Sequence, residues 1–104
     1  MAYFFDNSIK IIGYENGVND EGSYTEIEKV IARPWADVRT MKGREFESMG
    51  FTVNEQPIRF IIRYRKGILP DQKIEYRGEM YNIQSVTNDD GRNYTLTIFA
   101  TKVK

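Results

Sequence analysis

The sequence predicts a mainly all-β protein, a small antiparallel β-barrel of about six strands with one short helix in a long loop. Three observations support this prediction. Apolar and polar residues alternate in several short runs, turn-forming residues recur about every ten positions, and a single short stretch has helical spacing. The chain has 104 residues, enough for one domain with a core and too few for two ordinary domains. Residues 1–104 are therefore predicted to form a single domain.

The first 40 residues contain strand candidates that are separated by breaks. "SIKIIGYE" predicts a short strand, and "NGVNDEGS", rich in Asn, Asp and Gly, predicts an exposed loop. "YTEIEKVIARPWADVRTM" contains Pro34, which lacks the N–H that a central strand must donate, so we expect two strand pieces that bend near Arg33 and Pro34. Trp35 is expected in the core, because large aromatic side chains are usually buried.

The only helical candidate is "KGREFESMGF". Phe46 and Met49 are spaced to share one helix face, and Gly50 can end the helix. A helix of about two turns does not hold by itself. Residues 42–56 are therefore predicted to form a long, partly ordered loop that changes shape on contact with a partner.

The second half of the chain contains the clearest strands. "QPIRFIIRYRKG" has two alternating faces, and after the turn "NDDGRN" the segment "YTLTIFATKVK" alternates in a similar way. In the first of these strands one face holds Ile58, Phe60, Ile62 and Tyr64, and the other holds Arg59, Ile61, Arg63 and Arg65.

"KIEYRGEMYNI" predicts a β-hairpin with Arg77 and Gly78 as a two-residue turn, in which Gly78 takes the position that needs a positive φ. This turn fixes the register. The expected cross-strand pairs are Tyr76 with Glu79, Glu75 with Met80, Ile74 with Tyr81, and Lys73 with Asn82. One face of the hairpin is then almost entirely apolar and the other almost entirely polar, which is typical of a half-buried sheet. Its tyrosines are expected in the core rather than on a base-stacking surface.

The residue types that carry most enzyme chemistry are missing. The sequence has no Cys and no His, so it lacks thiolate nucleophiles and both the commonest general base and the commonest metal ligand. "NDEG" and "NDDG" lack the full ligand spacing of a calcium loop. We expect no enzymatic activity, no cofactor and no metal. The sequence shows neither a long apolar run nor a secretion signal, which predicts cytoplasmic synthesis without a membrane partner.

Charge is balanced overall but unevenly distributed along the chain. Fifteen Lys and Arg residues offset fifteen Asp and Glu residues. Residues 1–30 contain six carboxylates, including Glu26 and Glu28, against two lysines, whereas residues 56–77 contain six basic residues, including Arg59, Arg63 and Arg65, against two acids. Copies of the chain could therefore meet acidic face to basic face in a ring. Solvated strand faces explain the same pattern and are the commoner case.

The basic run "RFIIRYRK" also fits contact with phosphates. Three arginines at two-residue spacing could follow a nucleic-acid backbone, as on a single-stranded nucleic-acid-binding β-barrel. Zero net charge favours the alternative of a solvated face or of a surface paired with a neighbour's carboxylates.

The order and spacing of several motifs resemble the head–tail joining (head-closure, or stopper) proteins of long-tailed bacteriophages and prophages. The resemblance covers roughly residues 7 to 102. The motifs that carry it are Trp35-Ala36-x-Val38, Gly43-x-Glu45, Ile62-Arg63-Tyr64-x-x-Gly67-Ile68 and Tyr76-x-Gly78-x-x-Tyr81-x-Ile83.

The resemblance implies a virion protein at the head–tail interface, present in the host cytoplasm during assembly. Copies of such a β-barrel form a ring below the portal and its adaptor ring, retain the packaged double-stranded DNA, and offer the surface to which the tail attaches. It also implies that residues 41–56 form a channel-facing loop, with Lys42 and Arg44 as DNA-facing charges. A tail terminator or tail-tube protein is the alternative within the same group of phage proteins.

Overall fold

The computed structural model describes residues 3–18, 20–40 and 57–103, and within these ranges eight strands form one antiparallel sheet. The sheet curls into a half-barrel with the strand order β1-β4-β5-β8-β7-β6-β2-β3. The mainly all-β antiparallel fold is thus confirmed, while the predicted short helix lies outside the described residues. The strands are β1 (Asn7–Ser8), β2 (Lys10–Val18), β3 (Tyr24–Ala32), β4 (Trp35–Thr40), β5 (Ile58–Arg63), β6 (Lys73–Tyr76), β7 (Glu79–Asn88) and β8 (Thr95–Lys102).

The predicted break at Pro34 is present. β3 ends at Ala32 and β4 begins at Trp35, so the residues between them change the chain's direction. The Pro34 carbonyl accepts a hydrogen bond from the N–H of Ile9 at 3.2 Å, which ties this bend to the link between β1 and β2. The Pro34 carbonyl is the hydrogen-bond acceptor here. Proline has no backbone N–H, and because Pro34 lies between two strands, no strand ladder requires one.

The core occupies the concave face of the curled sheet. Ile9, Ile11, Ile74 and Ile98 are each no more than 1% exposed, and Phe60 on β5 is fully buried. The Phe60 ring makes edge-on contacts with Tyr76 and with Tyr81, each at 5.6 Å between ring centroids. Aromatic quadrupoles favour such edge-on contacts between rings. Phe60 therefore joins the middle of the sheet to the β6–β7 hairpin.

The β6–β7 hairpin has the register that the sequence predicts. Lys73 pairs with Asn82, Ile74 with Tyr81, Glu75 with Met80, and Tyr76 with Glu79. Both turn residues have positive φ, 51° at Arg77 and 77° at Gly78, as a tight turn between twisted antiparallel strands requires. Ile74, Tyr81 and Ile83 are buried, so the predicted apolar face is the core face.

Strands β2 and β3 extend well beyond the rest of the sheet. β2 pairs with β6 only through residues 10–12, whereas its ladder with β3 continues to the pair Val18 and Tyr24. The prediction of a loop over residues 16–23 is therefore wrong in its first part, because residues 16–18 belong to β2. We call residues 13–18 and 20–31 the arm.

A buried glutamine fixes the connection between β5 and β6. The Gln72 side chain donates from Nε2 to the Gly67 carbonyl at 2.8 Å, and its Oε1 accepts from the Leu69 N–H at 3.0 Å. Ile68, between these two contacts, is 8% exposed. The loop is thus held by satisfied polar groups around one apolar anchor, as buried polar side chains require.

Truncation of Phe60 tests its role as the link between the sheet and the hairpin. Phe60→Ala should lower the free energy of unfolding by about 3–5 kcal/mol, because it leaves a cavity beneath two tyrosines. Phe4→Ala is the matched control, since the Phe4 side chain is 70% exposed, and its effect should stay within about 0.5 kcal/mol. Urea denaturation measures both variants, and equal losses would contradict the assignment.

Candidate assembly surfaces

A basic and aromatic surface lies where β4 begins and β5 ends. An open groove of about 370 Å³ is lined there by Pro34, Trp35, Arg63, Tyr64 and Arg65. The exposed Arg33 precedes this group in the chain. We call residues 33–35 and 63–65 the basic corner.

The prediction of a buried Trp35 is wrong, because its side chain is 59% exposed. Trp35 is the first residue of β4, and its partner Ser8 belongs to the two-residue strand β1 at the rim of the sheet. Alternation then sends the next residue, Ala36, into the core, where it is fully buried. An exposed tryptophan beside arginines is instead typical of interaction surfaces.

The three arginines predicted for one exposed row occupy different environments. Arg59 is half-buried, with its guanidinium 5.9 Å from the centre of the Phe99 ring. Arg63 is exposed but lies 4.8 Å from the centre of the Phe5 ring. Arg65 lies beyond the end of β5 and is exposed. The structure therefore places Arg63 and Arg65 on the basic corner and keeps Arg59 apart.

The N-terminal segment is anchored across β4 by a buried carboxylate. Asp37 is 7% exposed, and its Oδ2 accepts a hydrogen bond from the Phe4 N–H at 3.1 Å. Arg39 donates to both carboxylate oxygens, from Nη2 at 3.1 Å and from Nε at 3.3 Å. The Arg39 guanidinium also lies 5.5 Å from the Tyr3 ring. The buried charge of Asp37 is thus paired, as burial requires.

The hydrogen-bonding and charged partners of Asp37 together change its pKa more than its burial does. Burial by itself raises the pKa of this carboxyl, because it disfavours the charged form. The hydrogen bonds from Arg39 and from the Phe4 N–H, with the positive charges of Arg39 and Arg59, nevertheless hold the pKa of Asp37 below its ordinary value.

The predicted acidic residues Glu26 and Glu28 lie on the arm, and both are exposed. Glu28 forms an ion pair with Lys73 at 3.4 Å. The arm contains a second ion pair, between Glu15 and Lys29 at 3.2 Å. Glu26 has no ion-pair partner among the described residues and lines an open cleft of about 590 Å³ with Tyr14, Glu15, Asn16 and Asp71. Within the described residues, the arm and its base therefore carry an acidic surface.

The sequence did not indicate the apolar side chains that are exposed on the arm. Tyr24 is 87% exposed and Val18 is 59% exposed, and both lie at the outer end of the β2–β3 ladder. Alternating apolar residues usually predict a buried face. A hairpin that extends beyond its sheet leaves such residues exposed, and only the pairing of β2 shows how far it extends.

Within residues 3–18, 20–40 and 57–103 no group of three carboxylates is arranged to hold a metal ion. In the same ranges no helix could cross a lipid bilayer. The predicted DNA-facing charges Lys42 and Arg44 lie outside the described residues.

The fold is shared with two solved structures. Protein SF1141 from Shigella flexneri 2a superimposes with a TM-score of 0.77 and 24% sequence identity, over 92% of this chain and 90% of that chain. A chain from the virion of a native gene transfer agent particle superimposes with a TM-score of 0.62 and 15% identity, over 94% of each chain. At these identities the likeness establishes a common fold.

A comparison with sequence models of protein families shows which family the chain belongs to. The model of the phage head completion protein family matches residues 2–103, so the chain belongs to that family. A search of curated proteins finds no match. The resemblance based on motif order is thus confirmed, and membership of this family supports a structural, head-related role.

Replacement of Asp37 should change how stability depends on pH. Because the folded-state pKa lies below the ordinary value of 3.8, the carboxylate contributes stability that is fully present above that value and is lost as the pH falls through the folded-state pKa. Asp37→Asn should therefore be less stable than wild type at neutral pH, with the difference shrinking below about pH 4. Urea denaturation at several pH values measures this, and a difference independent of pH would contradict it.

Proposed function

We propose that the protein forms a ring at the head–tail interface, where it closes the DNA channel after packaging and offers the surface to which the tail attaches. The observation that carries this proposal is the match of the head completion family model to nearly the whole chain. A packaged head is complete only when DNA can no longer leave it and a tail can join it. A ring across the exit channel meets both needs in one component.

The described surfaces support an assembly role. The basic corner and the acidic arm present opposite charges on different parts of one small molecule, an arrangement suited to head-to-tail contacts between copies. Neighbours above and below the ring would be the adaptor ring below the portal and the tail proteins. The proposed role is mechanical and electrostatic, with no catalytic step.

Residues 41–56 are the proposed channel-facing loop. The proposal rests on the resemblance to stopper proteins, since these residues lie outside the described ranges. Lys42 and Arg44 would face the phosphate backbone of the last packaged DNA, where positive charge offsets phosphate repulsion.

The structure weakens the alternative of a single-stranded nucleic-acid-binding barrel. Such a barrel needs exposed aromatic faces on which bases can stack. Tyr81 is 5% exposed, and both Tyr76 and Tyr81 contact Phe60 in the core. Arg59, which would belong to the phosphate-binding row, is half-buried. The hairpin and β5 therefore lack the surface that this function requires.

Deletion of the gene tests the proposed function. In the phage that carries it, the deletion should yield heads that package DNA but leak it, together with tails that remain unattached. Complementation with the wild-type gene is the control and should restore DNA retention and tail joining. Electron microscopy and nuclease-protected DNA measure both defects.

Two outcomes would contradict the proposal. Heads that retain DNA and carry tails without the protein would remove the head-closure role. Recovery of the protein on free tails purified before joining, with none on heads, would favour the alternative of a tail terminator or tail-tube protein.

A further inference from the structure

The arm carries an unusual amount of exposed apolar surface. Tyr14, Val18, Tyr24, Ile27 and Ile31 are all at least 38% exposed, and they account for half of the large exposed apolar side chains in the described part of the chain. Isolated exposed apolar residues are common, but a group of them on one protruding element marks an interaction site.

The isoleucines of the arm lie over glycines of β2. Ile27 lies over the backbone of Gly17, and Ile31 lies over Gly13, where side chains on β2 would otherwise stand. A Cβ atom at position 17 would overlap the Ile27 side chain. These isoleucines share their face of the arm with the Glu15–Lys29 ion pair, whereas Tyr14, Val18 and Tyr24 lie on the opposite face, as strand alternation requires.

The charges that remain after local pairing are complementary between the arm and the basic corner. Glu15 and Glu28 are compensated within the chain by Lys29 and Lys73. Asp20 and Glu26 on the arm form no ion pair with a described residue, and neither do Arg33 and Arg65 on the corner. Within the described residues, two acids on one surface and two arginines on the other are therefore available to a partner.

The corner also matches the arm in apolar character. Trp35 is 59% exposed, and Tyr94, whose carbonyl accepts a hydrogen bond from the Tyr64 N–H at 2.9 Å, is 71% exposed. Aromatic side chains beside arginines form the centre of many protein interfaces. An acidic, apolar arm and a basic, aromatic corner are therefore complementary in both properties.

The two surfaces cannot meet within one molecule. Tyr24 and Ala32 are the first and last residues of one continuous strand, so they lie about 26 Å apart at about 3.3 Å per residue. Trp35 follows Ala32 by only three residues, which span at most about 11 Å. The outer end of the arm and the Trp35 groove are thus separated in each copy, and contact between them requires a second copy.

We propose that the arm of each copy docks on the basic corner of the next copy, with Tyr24 and Val18 against Trp35 and with Asp20 and Glu26 facing Arg33 and Arg65. This inference rests on the proposed function, because it supplies the contact that joins copies into the ring. The contact is heterologous, with different surfaces on the two partners, and such contacts close into rings when the rotation between copies closes.

Cysteine cross-linking in assembled particles tests the contact. The chain contains no Cys, so every thiol is an introduced one. Asn16→Cys, on the same face of the arm as Val18 and Tyr24, labels the arm, and Ser8→Cys, beside Trp35, labels the corner. These two positions cannot join within one copy, because residues 10–16 of β2 separate them by about 20 Å, whereas a disulfide needs Cα atoms within about 7 Å.

The double variant, expressed in place of the wild-type protein, should give a ladder of cross-linked multimers in particles after oxidation or treatment with a short bis-thiol reagent. Each single variant is the control and should remain monomeric. Cross-links in Asn16→Cys alone would indicate arm-to-arm contact and would overturn the proposal. Cross-links to another virion protein, identified by mass spectrometry, would assign the arm to that protein instead.

The same particles separate this inference from the proposed function. If the double variant complements the deletion, protects DNA and joins tails but gives no cross-linked multimers, the arm–corner contact is wrong while head closure stands. If the deletion itself has no effect on DNA retention or tail joining, the proposed function fails independently of any cross-link.

Reciprocal charge reversal gives a second test. Asp20→Lys with Glu26→Lys, or Arg33→Glu with Arg65→Glu, should each lower the phage titre roughly tenfold or more, because like charges then meet across the contact. The variant with all four changes should recover the titre, since opposite charges face each other again. Arg77→Glu, an exposed reversal outside both surfaces, is the control. Failure of the fourfold variant to recover while each pair is defective would contradict the contact.

Discussion

The whole fold depends on one physical constraint. A single sheet must bury the apolar side chains of one of its faces by packing them against each other. In the described residues no helix layer covers the sheet, so its concave face can leave water only by curling. Phe60 makes this closure effective, because it reaches from β5 to Tyr76 and Tyr81 of the β6–β7 hairpin across the interior. Burial of one apolar side chain contributes about 1.5–3 kcal/mol, so the row of buried isoleucines around Phe60 outweighs any single surface contact.

Because the concave face of the sheet is buried in the core, the surfaces available for binding lie on the parts that extend from the sheet or form its rim. The arm continues past the last β2–β6 pair, and the basic corner forms where β4 and β5 meet the rim. Both surfaces lie on strands of the same hydrogen-bonded sheet, which sets their relative geometry. For a component that must join identical neighbours, fixed geometry sets the rotation between copies, and that rotation decides whether the assembly closes.

Local pairing determines which charges are available to a partner. The sequence shows an acidic first third and a basic middle, but it does not show that Glu28 meets Lys73, that Arg63 lies over Phe5, or that Arg59 is half-buried. These contacts involve residues far apart in the chain, and such contacts follow from strand order rather than from spacing. Charges counted along a sequence therefore overstate the charge that a neighbouring molecule meets.

The features that depend on neighbouring residues can be derived from the sequence alone. These are the turn at Arg77 and Gly78 with its register, the break at Pro34 and the alternating faces of β5 and β8, because turn chemistry and two-residue periodicity act over a few positions. The length of the arm and the exposure of Trp35 depend instead on contacts between distant strands. The reason is physical: whether an apolar side chain is buried depends on which strand lies beside it, and the order of strands in a sheet is fixed by contacts between distant parts of the chain.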